Sequence, residues 1–350
     1  MTDTSHNISV SGYLARITAG LAFAAGAWAS AKAVASAFNR FYLKGRVVLV
    51  TGGSRGLGLI LARQLAEEGA KVVICARSEE TLQHASEDLS SRTSDYLAIP
   101  CDITDKQQVK ELVQQIHDEM GSVDILINNA GTIQVGPMEL MSEEDYVSAL
   151  NIHFWGPFYV MRAVLPDMMA RKMGRIVNIV SIGGKISVPH LLPYNTSKYA
   201  LSGLSEGMAA ELKKYNIKVT SVYPGLMRTG SPRNVDVKGQ HKKEYALFKL
   251  SDSLPVLSMN ADSAAGRIIR AMKQGDRTIT LTLPAKLALA VHGFAPALTI
   301  YFFERVSSLL PGKTGDRETR KGRDSESRLS EFFLTKKTDE AAEKNLENQP

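Results

Sequence analysis

Tyr194 and Lys198 stand four residues apart in the run Tyr194-Asn-Thr-Ser-Lys198. On a helix that spacing puts both side chains on one face, one turn apart, so the ammonium lies close to the phenol oxygen. A nearby cation favours the phenolate. Lowering a tyrosine by two to three pH units from about 10 takes roughly 3 to 4 kcal/mol, which one poorly solvated cation can supply. Such a pair is a usable proton donor and acceptor. The spacing alone is a weak signal, because eleven tyrosines in a lysine-rich chain yield it by chance, and Tyr245-Ala-Leu-Phe-Lys249 repeats it. That second pair sits in a polar, charge-mixed stretch with no preceding strand and reads as surface. Tyr194 has better company. The apolar run Arg175-Ile-Val-Asn-Ile-Val leads to Ser181, whose hydroxyl would emerge at the carboxyl end of a strand, where open α/β sheets bind ligands.

The elements that position these groups alternate from Lys44 to about Thr282. The pattern predicts strands over 46–50, 71–75, 96–99, 124–128, 174–181, 218–223 and near 278–282. It predicts helices over 57–68, 79–90, 106–120, 143–169, 194–214 and 261–272. Short apolar strands alternating with helices imply a parallel sheet covered on both faces, an α/β fold with a Rossmann-like doubly wound sheet in a single catalytic domain.

The first turn of that fold reads Thr51-Gly52-Gly53-Ser54-Arg55-Gly56-Leu57-Gly58, directly between strand and helix. Glycines let the backbone approach a pyrophosphate, and the helix behind them presents free N–H groups and a positive dipole end. Its spacing is Gly-x-x-x-Gly-x-Gly, different from the commoner Gly-x-Gly-x-x-Gly. The second strand ends in Arg77, where a reader of the 2′-hydroxyl would be Asp or Glu. With Arg55 it offers a fork for a 2′-phosphate, which favours NADP(H) over NAD(H).

Taken together, these motifs resemble the classical short-chain dehydrogenase/reductase family over roughly residues 44–283. The glycine loop with Ser54 and Leu57, the run Asn128-Asn129-Ala130-Gly131, Asn151 in the long helix, Ser181, the Tyr194/Lys198 pair and Pro224-Gly225 come in the family's order. The resemblance implies Tyr194 as general acid in reduction and base in oxidation. Lys198 would lower its pKa and hold the nicotinamide ribose, Ser181 would polarise the substrate oxygen, and Asn151 would hold a water linking Lys198 to solvent. Asp102 would contact the adenine, Asn129 would support the cofactor cleft, and Thr229 would meet the nicotinamide amide, although Met227-Arg228 beside it is less typical. His153 and His190 are weaker alternatives for a base, because Tyr194 fills that role. The competing reading from another class is a catalytically silent, cofactor-binding interaction or redox-sensing subunit, against which the intact Asn151, Ser181, Tyr194 and Lys198 argue.

With 350 residues and 44% hydrophobic content the chain can bury a full core. Its net charge of +6 is interleaved, with no basic run carrying aromatics, so no nucleic-acid partner is expected. The seven histidines show no ligand spacing and no metal is expected. Cys75 and Cys101 each end a predicted strand and read as buried small hydrophobes in a reducing compartment.

Four segments follow: an N-terminal extension over 1–43 with an apolar helix, the catalytic domain over 44–283, an apolar helical segment over 284–311, and a charged tail over 312–350. In the first, Leu14, Ile17, Leu21 and Trp28 share a helical face; Ala29-Ser30-Ala31 resembles a signal-cleavage site, but the leader is long with one basic residue. In the third, Leu287 to Phe303 carries no Asp, Glu, Lys or Arg but is broken by His292 and Pro296, which argues against a simple bilayer span. Three readings compete for it: a cover over the substrate cleft, a peripheral membrane contact on the cytoplasmic side, or a homo-oligomer contact. The first two point to a small hydrophobic carbonyl or alcohol as substrate. Gly225 to about Met259 is expected to be an irregular, mobile substrate lid. The tail mixes nine basic and nine acidic side chains and is expected to be disordered.

Overall fold

Every residue of strand β1 (Val47–Thr51) is buried, as a strand covered on both faces requires. β1 lies inside a seven-stranded parallel sheet of order β11-β7-β6-β4-β1-β2-β3, formed with β2 (Lys71–Ala76), β3 (Tyr96–Pro100), β4 (Ile125–Asn128), β6 (Gly174–Ile179), β7 (Ile217–Tyr223) and β11 (Thr278–Thr280). A computed structural model describes residues 18–20, 23, 26–27, 41–254, 258–313, 317–327, 330 and 335–348. The chain divides into Met1–Phe41 and Tyr42–Pro350. In the first unit residues 18–20, 23, 26 and 27 are helical and exposed; the rest of the expected apolar helix, with Leu14, Ile17, Leu21 and Trp28, lies outside the described residues.

Strand order reverses between β1 and β4, the crevice where doubly wound sheets bind dinucleotides. Helix α1 (Gly56–Glu67) follows β1, α2 (Glu79–Ser90) follows β2, and α3 (Lys106–Met120) follows β3. The Asp105 side chain accepts from the Gln107 and Gln108 amides and fixes the start of α3. On one sheet face Leu112 and Ile116 of α3 pack with Leu49, Val73 and Ile176 in the main core. On the other, α8 (Ala261–Gln274) meets α1, where Gln64 Nε2 donates to the Asp262 carbonyl at 3.0 Å.

The long helix is two helices, α4 (Glu143–Leu150) and α5 (Gly156–Ala170), joined by a π-helical turn over Asn151–Trp155 in which Gly156 N–H donates to the Asn151 carbonyl. A π turn holds one residue more than an α turn and so rotates the following side chains. Helix α6 (Leu192–Glu211) is tied to the sheet by a buried polar ladder. Asn128 Nδ2 donates to Asn178 Oδ1 at 2.8 Å, Asn178 Nδ2 donates to Ser205 Oγ at 2.9 Å, and Ser205 shares a hydroxyl bond with Ser221 at 2.7 Å. In low dielectric such linked bonds fix one arrangement of β4, β6, α6 and β7.

Two expectations are corrected beyond β7. The segment expected to be irregular contains β8 (Leu226–Arg228), β9 (Asp236–Val237), α7 (His241–Ser253) and β10 (Ser258–Asn260), with a short β5 (Gln134–Val135) pairing to β9. Tyr245 is not a surface residue: it is fully buried with Val135, Val235 and Val237, and Lys249 is buried and paired with Asp339 at 2.8 Å.

The described part of the tail is likewise structured. β12 (Arg320–Lys321) pairs antiparallel with β9, and α11 (Lys336–Lys344) buries Thr338 and Ala342. Low apolar content argued for disorder, but the tail adds to a surface already formed and matches charges across it, through Lys321–Asp236 at 2.7 Å and Arg233–Glu326 at 3.1 Å. The apolar segment forms a hairpin of α9 (Leu283–Phe294) and α10 (Pro296–Ser307), with Thr282 capping α9 through the Ala285 amide. None of the described helices is long and apolar enough to cross a membrane.

Candidate active site

β6 ends at Ile179, and two residues on the chain turns through Ser181 at φ 140°, a region that residues with a Cβ rarely adopt. The turn aims Ser181 back over the start of α6. Ser181 Oγ accepts from the Gly183 amide at 3.0 Å and lies close enough to the Tyr194 phenol to favour its ionised form. Pro193 in the first turn of α6 suits a position with no amide partner of its own, and Tyr194 follows it. Lys198 is 4% exposed, its ammonium 5.7 Å from the Tyr194 ring centre and donating to the Ile179 carbonyl at 2.8 Å.

The electrostatics differ from the sequence expectation in one respect. Burial pushes the Tyr194 phenol up from its ordinary value, with the Ser181 hydroxyl acting the other way. Burial lowers Lys198 to about 7. The ammonium is engaged by a backbone carbonyl, so in this structure it does not bring the phenol toward neutrality.

The π turn that carries Asn151 brings a further side chain to the pair. The Asn151 side chain is exposed at the cleft wall, and the residue that reaches the pair is His153, two positions on and rotated inward by the π turn. The His153 ring meets Tyr194 edge-on at 5.4 Å. Its Nε2 accepts from the Thr132 amide at 3.2 Å, so the proton sits on Nδ1, which donates to Ser197 Oγ at 2.8 Å. Ser197 in turn donates to the Tyr194 carbonyl at 2.8 Å. Burial, then the Lys198 charge, hold His153 well below its usual pKa and therefore neutral. It is a buried strut between the 131–132 loop and α6. No periodicity argument could have found it, because helical counting through the turn assumes 3.6 residues per turn.

Around the switch point the glycine turn is closed by backbone contacts. Gly52 has φ 64°, and a Cβ there would lie 2.7 Å from Ala130 Cα. Asn129 Nδ2 donates to the Thr51 and Gly52 carbonyls at 3.2 and 3.0 Å, while Thr51 Oγ1 accepts from the Asn129 and Ala130 amides. A Cβ on Gly131 would lie 2.8 Å from His153 Nε2, so this glycine is what lets loop and histidine meet. Helix α1 starts with no side-chain cap and no acid in its first turn. These features fit an anionic pyrophosphate laid across the turn. Arg77 is exposed at the cleft edge, and the Asp102 carboxylate is turned to the Thr104 amide and hydroxyl. Both cysteines are free and buried, and burial raises the Cys101 thiol to about 11.

The cleft above these residues measures about 1520 Å³, and every candidate residue except Gly58 lines it. Pro224, Gly225 and Thr229 form the far wall, and the α9–α10 hairpin adds Ala285, Ala288, Phe302 and Phe303. Two tail residues also enter this region. Glu347 is 5% exposed beside Arg55 at 3.6 Å, and Asn345 accepts the Gly56 amide through its carbonyl at 2.9 Å. Burial raises Glu347 to about 7 against the pull of Arg55 and of the Asn234 bond.

Comparison with known proteins agrees with this architecture. Residues 46–238 match the short chain dehydrogenase family. The chain is 31% identical over 271 residues to a dehydrogenase/reductase SDR family protein 7-like of Anopheles gambiae, covering 76% of this chain and 83% of the relative. It is 32% identical over 280 residues to a fatty acyl-CoA reductase of Acinetobacter baylyi, covering 79% and 90%. The crystal structure of a gluconate 5-dehydrogenase from Burkholderia cenocepacia in complex with NADP and tartrate superposes with a TM-score of 0.63 at 29% identity, covering 71% of this chain and 98% of that one. Sequence, length and sheet topology thus converge, and this chain belongs to the short-chain dehydrogenase/reductase family of oxidoreductases.

Proposed function

We propose that the chain is an NADP(H)-dependent oxidoreductase that interconverts a ketone or aldehyde with its alcohol, on an apolar, lipid-like substrate. The observation that carries the chemistry is the Tyr194 phenol and the Ser181 hydroxyl lining one cleft, with the Lys198 ammonium buried beside the Tyr194 ring. Bound nicotinamide supplies the hydride in reduction. Tyr194 gives its phenolic proton to the carbonyl oxygen, and Ser181 donates a hydrogen bond to that same oxygen. With a pKa of about 7, Lys198 is partly charged at neutral pH, and it would favour the phenolate left behind once its ammonium turns from the Ile179 carbonyl toward the phenol oxygen. Gly52, Ser54, Arg55, Gly56 and Leu57 would hold the pyrophosphate, with Gly58 leaving room behind them for the Gly52 carbonyl and Asn129; Asp102 would face the adenine side, and Arg77 with Arg55 would read the 2′-phosphate.

Support for an apolar substrate comes from the hairpin and from the name of one relative, a fatty acyl-CoA reductase. The hairpin lines the cleft with Ala285, Ala288, Phe302 and Phe303, yet Phe302 is also exposed, together with Leu287, Val291, Leu298 and Tyr301, and Phe294 at 94%. An apolar face of that kind, with Tyr301 and Arg305 in cation–π contact at its edge, suits the headgroup boundary of a membrane.

Replacing Tyr194 with Phe removes the proton and little else. The expected result is a fall in kcat of at least ~10²-fold with NADPH affinity near wild type, measured by steady-state kinetics and by cofactor fluorescence. Activity within a few-fold of the parent would refute the role.

Charge-assisted bonds to the 2′-phosphate are worth roughly 1.5 to 3 kcal/mol each, so kcat/KM with NADPH should exceed that with NADH by about tenfold or more. Arg77→Asp should move the ratio toward NADH. Equal ratios in the parent enzyme contradict the assignment.

For the hairpin, the full-length protein should co-float with anionic lipid vesicles, and kcat/KM should rise roughly two- to four-fold per methylene added to a straight-chain ketone until the cleft is filled. A protein that stays with the aqueous fraction and shows no chain-length gain would remove the membrane and lipid part, and self-association without flotation would assign the face to an oligomer contact.

A further inference from the structure

The amino end of α1 is occupied by this chain's own carboxyl-terminal segment. Gly56 N–H, the first amide of the helix, donates to the Asn345 carbonyl at 2.9 Å. The Glu347 carboxylate lies directly over Gly56, where even a methyl group would collide with Oε1, and it faces the Arg55 guanidinium at 3.6 Å. Asn234 Nδ2 donates to its Oε2 at 2.6 Å. An unsatisfied helix amide, a positive dipole end and an arginine are the partners an anionic phosphate would use. Here a backbone carbonyl and a carboxylate take them.

The segment is built into place. Arg63, oriented by Asp88 at 2.7 and 2.9 Å, donates to the Lys344 carbonyl at 3.1 Å and to Asn345 Oδ1 at 3.5 Å. Asn345 Nδ2 donates to the Thr229 carbonyl at 3.3 Å, so the tail spans both walls of the cleft. Farther back, Thr338 and Ser253 share a hydroxyl bond at 2.8 Å. Yet the occupant is poorly matched: it is one buried carboxylate, with Arg55 held at 3.6 Å, and the carboxylate's charge also bears unfavourably on a second buried acid, Asp252. An ion pair this long, with Arg55 itself partly exposed, repays little of the cost of burying the carboxylate and weakens such a plug. A pyrophosphate carries more charge and more acceptors for the same amide and arginine.

We propose that residues 336–348 are an intramolecular ligand of the pyrophosphate seat, which the dinucleotide must displace in order to bind. This rests on the assignment of that seat to NADP(H). It adds that cofactor affinity is set by a competition within one chain, since an enzyme whose binding-competent state is only partly populated shows a weaker apparent affinity by that fraction.

The test uses the full-length protein. NADPH binding is followed by cofactor fluorescence, and hydrogen exchange of residues 336–348 is followed by mass spectrometry with and without NADPH. Glu347→Ala should lower the NADPH Kd by about threefold or more, and NADPH should speed exchange across 336–348 in the wild type. A Ser253→Cys/Thr338→Cys pair, oxidised to hold α11 down, should raise the Kd, with recovery on reduction. Exchange that is unchanged or slowed by bound NADPH, with a weaker Kd in Glu347→Ala, would overturn the competition and make the tail a cover over the cofactor, leaving the cofactor assignment intact. Absence of NADPH binding in wild type and variant alike would overturn both.

Discussion

A lysine ammonium buried against the end of a β-strand is the contact on which the site depends. Lys198 Nζ donates to the Ile179 carbonyl, the last residue of β6, and thereby ties the second turn of α6 to the carboxyl edge of the sheet. Removing a cation from water is costly unless its donors are satisfied. The surroundings therefore have to be exact in position: Gly131 leaves room for His153, His153 holds Ser197, and the Asn128–Asn178–Ser205–Ser221 ladder holds the body of α6. Through this frame Tyr194 and Ser181 are set facing one another above a lysine whose charge is labile near neutrality.

The same sheet edge explains where the rest of the function lies. Where the order reverses between β1 and β4, the glycine turn and the 128–131 loop, bonded to each other, line one side of the cleft, while the loops after β6 and β7 line its other side. What lies beyond the family match at residue 238 then specialises the cleft. The α9–α10 hairpin supplies apolar walls, and the tail reaches back across Gly230, packed on Ala342, to the amino end of α1.

Much of this was legible in the residues. The alternation of apolar runs gave the strands and helices of the sheet, with 106–120 matching α3 to the residue, because burial on both faces leaves strands almost purely apolar. The glycine turn and the Tyr194/Lys198 pair, singled out in the sequence by fixed residue types at fixed spacing, line one cleft in the structure. Asn151 lines the cleft, and the π turn that carries it also brings His153, read from the sequence only as a weaker alternative base, beside Tyr194. Tyr245, Lys249 and the tail were misread for one shared reason: each is polar locally and is buried only by long-range pairing, Lys249 by Asp339 and Glu326 from the tail itself. Composition reports the average solvent a segment prefers, and here the partner lay ninety residues away.

If burial of the Lys198 ammonium against β6 governs the site, its proton should leave far earlier than that of an ordinary lysine. The direct measurement is a pH titration by NMR of the protein labelled with ¹³C at lysine Cε, with the Lys198→Met variant identifying the resonance. The account predicts one lysine titrating near 7, its signal missing from the variant. A Lys198 midpoint at the ordinary lysine value of about 10.4 would contradict it.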